Sequence, residues 1–164
     1  MRSIEKRNKP THRVVILIGS NIHPAKNLRK AIELLSARAV IIRRSRIWES
    51  DAVGSDGPDF LNQAVEIETD LTADEIKNEI IKEIETVLGR VRSEDKNAPR
   101  TIDLDIVIYN KTVLDKTLWE KAFIAVPVAE IRPDLKADDN QFTIEQMAAK
   151  LKSSTRVELF MDDN

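Results

Sequence analysis

The segment 100–108, Arg-Thr-Ile-Asp-Leu-Asp-Ile-Val-Ile, alternates apolar and acidic side chains along most of its length. Alternation with a period of two is the pattern of a β-strand, whose successive side chains point to opposite faces of a sheet. Ile102, Leu104, Ile106 and Ile108 then share one face, and Asp103 and Asp105 share the other. A chain with this segment must build a sheet that packs one face and carries two adjacent carboxylates on the other. Aspartate is depleted in strands, and two like charges so close need a cation or a proton to compensate them. Chemistry alone leaves two readings equally open: solvated aspartates on an open sheet face, or a pair holding a divalent metal against a polyphosphate.

The rest of the chain supplies partners for that strand. Val14 to Ile18 is a continuous apolar run, as expected of a buried central strand. Gly19-Ser-Asn21 ends it and reads as a strand-end turn. Leu28, Ala31, Ile32 and Leu35 recur at helical spacing and predict a helix over roughly residues 25–37. A second strand is expected over 40–48, and residues 49–59, with Gly54, Gly57 and Pro58, form a loop. Residues 60–68 alternate again, with Leu61, Val65 and Ile67 on one side and Phe60, Asn62 and Ala64 on the other. Thr72 and Glu75 make a capping box. Behind it, Ile76, Ile80, Ile84 and Leu88 form an apolar stripe that stops at Gly89, a residue suited to a left-handed cap. Val113-Leu114 suits a short edge strand, 143–151 a third helix and 156–160 a last strand. Strand-helix-strand-strand-helix-strand is the split pattern of an α+β, ferredoxin-like βαββαβ sandwich. It predicts an antiparallel sheet with two helices on one face, plus an extra C-terminal helix and strand.

Composition narrows the classes of function. The 164 residues are 41% hydrophobic and 33% charged, which suits one globular domain over 14–164 behind a disordered basic arm at 1–13. The net charge of -2 gives no overall drive toward nucleic acid or membrane. No stretch is long and apolar enough to span a bilayer. The absence of cysteine excludes thiolate catalysis, disulfides and cysteine zinc sites. The expected setting is the cytoplasm.

Arg90, Arg92, Lys96 and Arg100 lie just ahead of the aspartates. Such a run is ordinarily a solvated loop. Beside a carboxylate pair it can also neutralise phosphates while the carboxylates hold metal, the arrangement used for phosphoryl transfer. There is no G-x-x-x-x-G-K-[ST] loop, so a nucleotide site here is not a P-loop. Asn62 can present donor and acceptor together to a heterocycle edge, and Phe60 can stack on its plane, although Phe60 alone reads as core. His12 and His23 have no nucleophile or ligand partner at useful spacing. An RNA-binding sheet is disfavoured, since its strands lack stacked aromatics.

Lys96-Asn-Ala-Pro-Arg-Thr-Ile-Asp-Leu-Asp-Ile-Val107 closely resembles the signature of the 6-hydroxymethyl-7,8-dihydropterin pyrophosphokinases of the folate pathway. Gly19-Ser-Asn21, Pro58-Asp-Phe-Leu-Asn62, Ile84-Glu85, Leu88-Gly-Arg-Val-Arg92 and the run from Val126 to Leu135 recur in that family in the same order. The resemblance implies transfer of the terminal pyrophosphoryl unit of ATP to the pterin hydroxymethyl group, with release of AMP and with two magnesium ions at Asp103 and Asp105. It implies that Arg90, Arg92 and Arg100 contact ATP phosphates and that Ile106 lies near the nucleotide. It also implies that Phe60 and Phe123 flank the pterin, that Asn62 hydrogen-bonds its edge, and that Ser50 and Val53 line its pocket. ATP and hydroxymethyl-dihydropterin are then the partners of a monomer. The competing reading is a relative that binds pterin or nucleotide without efficient transfer; retention of both aspartates and Arg100 argues against it.

The chain departs from the family pattern between Leu114 and Phe123. Members usually carry a longer segment there, with a Pro-His pair and further arginines; here it is Asp115-Lys-Thr-Leu-Trp-Glu-Lys-Ala122. Asn97 stands where tryptophan is common, Ser50 where threonine is, and Asp51 where proline is. Lys116 and Lys121 are candidates to replace the missing cations, but a lysine is a point charge, not a bidentate fork. The KM for ATP is therefore expected above that of relatives with the full segment, with pterin binding preserved. Side-by-side steady-state kinetics check this, and an equal KM refutes it.

Overall fold

The computed structural model describes residues 9–52, 57–91, 100–136 and 141–161. Its spine is β1 (His12–Ser20), buried at every position from Val14 to Ser20. A strand so enclosed must be paired on both edges and covered on both faces. It pairs antiparallel with β4 (Phe60–Thr69) on one side and β5 (Asp103–Tyr109) on the other. β2 (Val40–Arg44) and β3 (Trp48–Ser50) both pair with β4. Short β6 (Thr112–Val113) and β7 (Val157–Leu159) extend the two edges. The sheet has seven strands in the order β6-β5-β1-β4-β3-β7, with β2 also on β4. The four-strand core β5-β1-β4-β2/β3 is the expected ferredoxin-like arrangement.

Helices cover both faces. On one, α1 (Pro24–Ser36) packs with Leu28, Ala31 and Leu35 inward. Beside it runs a rod built from α2 (Ala73–Glu75), a π-helical segment Ile76–Ile81 and α3 (Lys82–Val87). The Thr72/Glu75 capping box forms as the sequence predicts, and Gly89 ends the rod at φ 77°. Ile76, Ile80 and Ile84 reach the core. The π-helical turn was not expected.

The other face carries two helices, α4 (Ala122–Ile131) and α5 (Ile144–Lys152). Only α5, capped by Thr143, is legible in the sequence. α4 buries Ile124, Ala125, Val126, Pro127 and Val128 in succession, so it shows no amphipathic period, and Pro127 inside it argues against a helix.

Three boundaries differ from expectation. The strand expected over 40–48 breaks at Ser45. There the side chain takes over from the ladder: the Ala64 N–H donates to Ser45 Oγ (2.9 Å) and Gln63 Nε2 to Ser45 O (2.8 Å). Glu130 on α4 then fastens the break, accepting from Arg46 Nε (2.8 Å) and Trp48 Nε1 (2.7 Å). In β5 the register shifts so that Ile106 faces Ile16 and Ile108 faces Val15, leaving Val107 as the extra residue of a bulge. Ile102, Leu104 and Ile106 keep to the α1 face, but Ile108 joins Val107 on the α4 face. Finally, β1 begins at His12, inside the segment expected to be an arm, and Arg13 lies 3.0 Å from Glu68. Residues 1–8 lie outside the described residues.

Among the described residues no helix is long and apolar enough to cross a membrane.

Glu66 on β4 is 1% exposed and is compensated by arginines from three elements. Arg132 Nε donates to its Oε2 at 2.7 Å, Arg43 Nε to its Oε1 at 3.2 Å, and Arg13 Nη1 stands 3.6 Å away. Arg132 also donates to Asn110 O (3.0 Å), tying the end of α4 to the turn after β5. Breaking a buried pair on one side leaves charge uncompensated. Glu66→Ala is therefore expected to cost about 3 kcal/mol in denaturant unfolding. A loss near zero would mean that the partly exposed Arg13 and Arg43 simply turn into water.

Candidate active site

The register of the sheet places the site. Trp48, Asn62, Gly19 and Asp103 form one row across β3, β4, β1 and β5. Directly paired residues share a face, so Asn62 and Asp103 flank Gly19 on the α4 side, two strand spacings or roughly 10 Å apart. The glycine between them is required. A Cβ on Gly19 would stand 2.9 Å from Asn62 Oδ1 and 3.9 Å from the Phe60 ring. Both side chains therefore lean over a backbone floor that any other residue would fill. Asn62 is 3% exposed, and its Nδ2 donates to Ser50 Oγ at 3.0 Å, which sets the amide's orientation. Phe60 pairs across from Ser50. Phe123 stands in the first turn of α4, packed against the same cluster as Trp48 and Ala64, with Lys121 Nζ 5.8 Å from its ring centroid.

Asp103 and Asp105 open the other half. Because β6 pairs only with Ile108 and Tyr109, no strand pairs with the outer edge of β5 from Asp103 to Ile106 among the described residues. Glu85, 5% exposed, caps this edge by accepting from the Leu104 N–H at 3.4 Å. It also pairs with Arg90. Arg90 Nη1 continues to Asp103 Oδ1 (2.9 Å), and Arg100 Nη1 reaches Asp103 Oδ2 (3.1 Å). Two arginines thus hold one aspartate. Among the described residues no arginine pairs with Asp105; it stands among Asp103, Asp115 and Glu85. Desolvation against the cleft walls, then those three carboxylates, push its carboxyl up to about 7.

Glu85, Arg90, Asp103 and Asp105 line a cleft of about 540 Å³, with Ile106, Leu114 and Asp115 on one wall and the rod on the other. Lys77 and Lys82 enter it from the rod. They are five residues apart, a spacing that diverges on an α-helix and is brought round by the π-helical turn between them. The two lysines considered from sequence do not line it: Lys116 starts a 3-10 turn and Lys121 lies by Phe123.

The Gly19-Ser-Asn21 turn does more than end a strand. Asn21 Oδ1 accepts from the Arg100 N–H (2.7 Å), its own N–H donates to Arg100 O (3.1 Å), and its Nδ2 donates to Pro58 O (3.3 Å). Ser20 Oγ donates to Thr101 O at 2.5 Å. One turn therefore positions both Arg100 and the approach to Phe60. Asn21 and Glu85 occur in the motifs that carry the resemblance, but nothing in their spacing assigns them these contacts. Val53 and Arg92 lie outside the described residues.

The chemistry of the donor set suits a divalent ion beside phosphate: two carboxylates on one strand, a further acidic neighbour, and arginines within reach. Among the described residues no closed cluster of three metal-ligating side chains exists. Magnesium is commonly held by one or two carboxylates, with substrate phosphates and water completing its shell.

Comparison with known proteins follows the same line. The profile of the 7,8-dihydro-6-hydroxymethylpterin-pyrophosphokinase family matches residues 15–133. The chain is 34% identical over 159 residues to the 2-amino-4-hydroxy-6-hydroxymethyldihydropteridine pyrophosphokinase of Bacillus subtilis, covering 89% of this chain and 94% of the relative. To the protein of the same name from Methylorubrum extorquens it is 38% identical over 154 residues, covering 87% and 95%. A solved structure of Plasmodium falciparum HPPK-DHPS, a triple mutant with pteroate, superposes with a TM-score of 0.71 at 13% identity, over 93% of this chain. The chain spans about half the length of that structure, 45%, and the likeness speaks for the fold.

The raised carboxyl of Asp105 has a defined sign. Its folded value lies above the ordinary carboxylate range, so the folded protein keeps a proton that the unfolded chain releases near pH 4. The associated stability is full below about pH 4 and is lost as pH rises through about 7. Without divalent ions, Asp105→Asn is expected to raise stability at pH 8 by on the order of 1 kcal/mol, discounted because the side chain still reaches solvent. The gain should vanish below pH 4. Thermal melts at the two pH values check it, and a variant less stable at pH 8 contradicts it.

Proposed function

The chain belongs to the 7,8-dihydro-6-hydroxymethylpterin-pyrophosphokinase family, and on that premise we propose that it transfers pyrophosphate from ATP to the hydroxymethyl group of 6-hydroxymethyl-7,8-dihydropterin. AMP leaves, and the product feeds folate biosynthesis. The observation that supports this reading is the row Asn62–Gly19–Asp103, an amide and a carboxylate on one face with only glycine between them.

In this reading the pterin lies on the floor at Gly19, between Phe60 and Phe123. The Asn62 amide, oriented by Ser50, pairs with its edge. The nucleotide occupies the cleft beside β5, against Ile106. Arg90, Arg92 and Arg100 meet its phosphates, and Lys77 and Lys82 add charge from the rod in place of the trimmed segment 115–122. Asp103 and Asp105 would hold the two magnesium ions, whose chemistry when bound would be to neutralise charge on the transferred unit.

The attack is in line: the hydroxymethyl oxygen meets the β-phosphorus while the bond to the α-phosphate oxygen breaks. Asp103 stands nearest the pterin end of the pair, where its carboxylate can accept a hydrogen bond from the attacking hydroxyl. In the free protein Arg90 and Arg100 neutralise Asp103. Substrate phosphates draw both guanidinium groups away, so the same cations that stabilise the empty site stabilise the negative charge of the reaction. Glu85 keeps Arg90 from leaving the cleft. In this reading the protein works in the cytoplasm as a monomer that acts on two small molecules.

The protein is expected to release AMP from ATP and magnesium only when hydroxymethyl-dihydropterin is added. Asp103→Ala and Asp105→Ala should each lower kcat by at least about 100-fold, the scale of losing a charge-stabilising group. Chromatographic AMP detection decides the matter: no pterin-dependent AMP ends the enzyme reading, while full activity in the alanine variants ends the metal assignment alone.

A further inference from the structure

Arg156 lies outside the matched family region and just ahead of β7, on the back of the pterin wall. β7 pairs with β3 so that Val157 faces Ser50 and Glu158 faces Glu49. The last β3–β4 pair is Ser50 with Phe60. One residue beyond that pair, on the two chain segments leaving it, stand Asp51 and Asp59. Arg156 Nη1 donates to both, at 2.7 Å to Asp51 Oδ1 and 3.1 Å to Asp59 Oδ2. Its Nη2 stands 3.5 Å from Glu158 and 3.9 Å from Glu49. One guanidinium thus bridges the mouth of the hairpin where the next ladder pair would be.

Without that cation, Asp51 and Asp59 face each other as like charges beside Glu49, an arrangement that pushes paired strands apart. The front of the same two strands carries Ser50, Phe60 and Asn62, whose mutual spacing depends on Ser50 staying opposite Phe60. Asp51 is also one of the positions where this chain departs from the family pattern. We propose that Arg156 is a positioning residue for the pterin subsite: an ionic clasp that holds the Ser50–Phe60 end of the hairpin closed and so sets the wall that receives the heterocycle. It touches no substrate and leaves the nucleotide cleft, on the far side of Gly19, unaffected. The inference rests on the function proposed above.

An isolated exposed pair contributes little; one cation shared among several carboxylates holds a geometry that they would otherwise break. The test is steady-state kinetics on the full chain with AMP release as readout. Arg156→Ala is expected to raise the KM for hydroxymethyl-dihydropterin about five-fold, on the scale where a tenfold change is 1.4 kcal/mol, with the KM for ATP and kcat unchanged. Arg156→Lys should fall between. Adding Asp51→Asn and Asp59→Asn to Arg156→Ala removes the repulsion and should restore much of the pterin affinity. In the unmutated protein at saturating ATP, high salt should raise the pterin KM, since the clasp is within reach of screening ions. An unchanged pterin KM in Arg156→Ala, or equal rises for pterin and ATP, overturns the clasp while leaving the function standing. Absence of pterin-dependent AMP from the unmutated protein overturns the function, and the clasp with it.

Discussion

The missing Cβ at Gly19 is the constraint on which the site depends. β1 is the most enclosed strand of the sheet, and its last residues run between Asn62 and Asp103. With a side chain at this point, Asn62 Oδ1 would be met at 2.9 Å and the space between the two polar groups would close. With glycine, the central strand becomes a bare floor with an amide on one side and a carboxylate on the other. Two residues further, Asn21 binds the backbone of both Arg100 and Pro58. The sheet, the approach to Phe60 and the start of the β5 segment at Arg100 are thus fastened at one turn.

Charge at the edge of β5 is arranged as a chain and not as isolated pairs. Glu85 is buried against the strand, Arg90 bridges from it to Asp103, and Arg100 takes the second oxygen of Asp103. Such a network tolerates burial because each charge has a partner with hydrogen-bonding geometry. Asp105 is the exception, crowded by carboxylates and shifted upward. The function proposed above gives that crowding a use, since divalent cations held by Asp103 and Asp105 would relieve it. At the opposite end of the sheet the same device has a purely structural use, where Glu66 is enclosed by Arg13, Arg43 and Arg132.

Much of this was legible in the chain. Local rules sufficed for the Thr72/Glu75 cap, the α1 stripe, the Gly89 stop and the alternation of Ile102 to Ile106, since each depends on residues within a few positions. Elements governed by distant partners were not. The bulge at Val107 sends Ile108 to the other face because of its pairing with Val15. The break at Ser45 exists because Ala64, Gln63 and Glu130 supply bonds that the ladder does not. α4 hides behind Pro127 and an all-apolar surface, since a helix buried on every side has no period to read. Lys77 and Lys82 meet in the cleft only through a π-helical turn that spacing rules do not anticipate.

By itself, then, the sequence determined the ferredoxin-like order of elements, the placing of two carboxylates on one strand face, and the motifs that identify the family. These are local patterns or inherited signatures, and both survive in one dimension. Tertiary structure decided which groups meet: that Asn62 and Asp103 share a row across Gly19, that Glu85 rather than solvent holds Arg90, and that Arg156 bridges Asp51 and Asp59. Those contacts join residues from five to more than a hundred positions apart. Strand register and helix packing alone bring their side chains within hydrogen-bonding distance, and a one-residue shift in either would dissolve the site while leaving the sequence motifs intact.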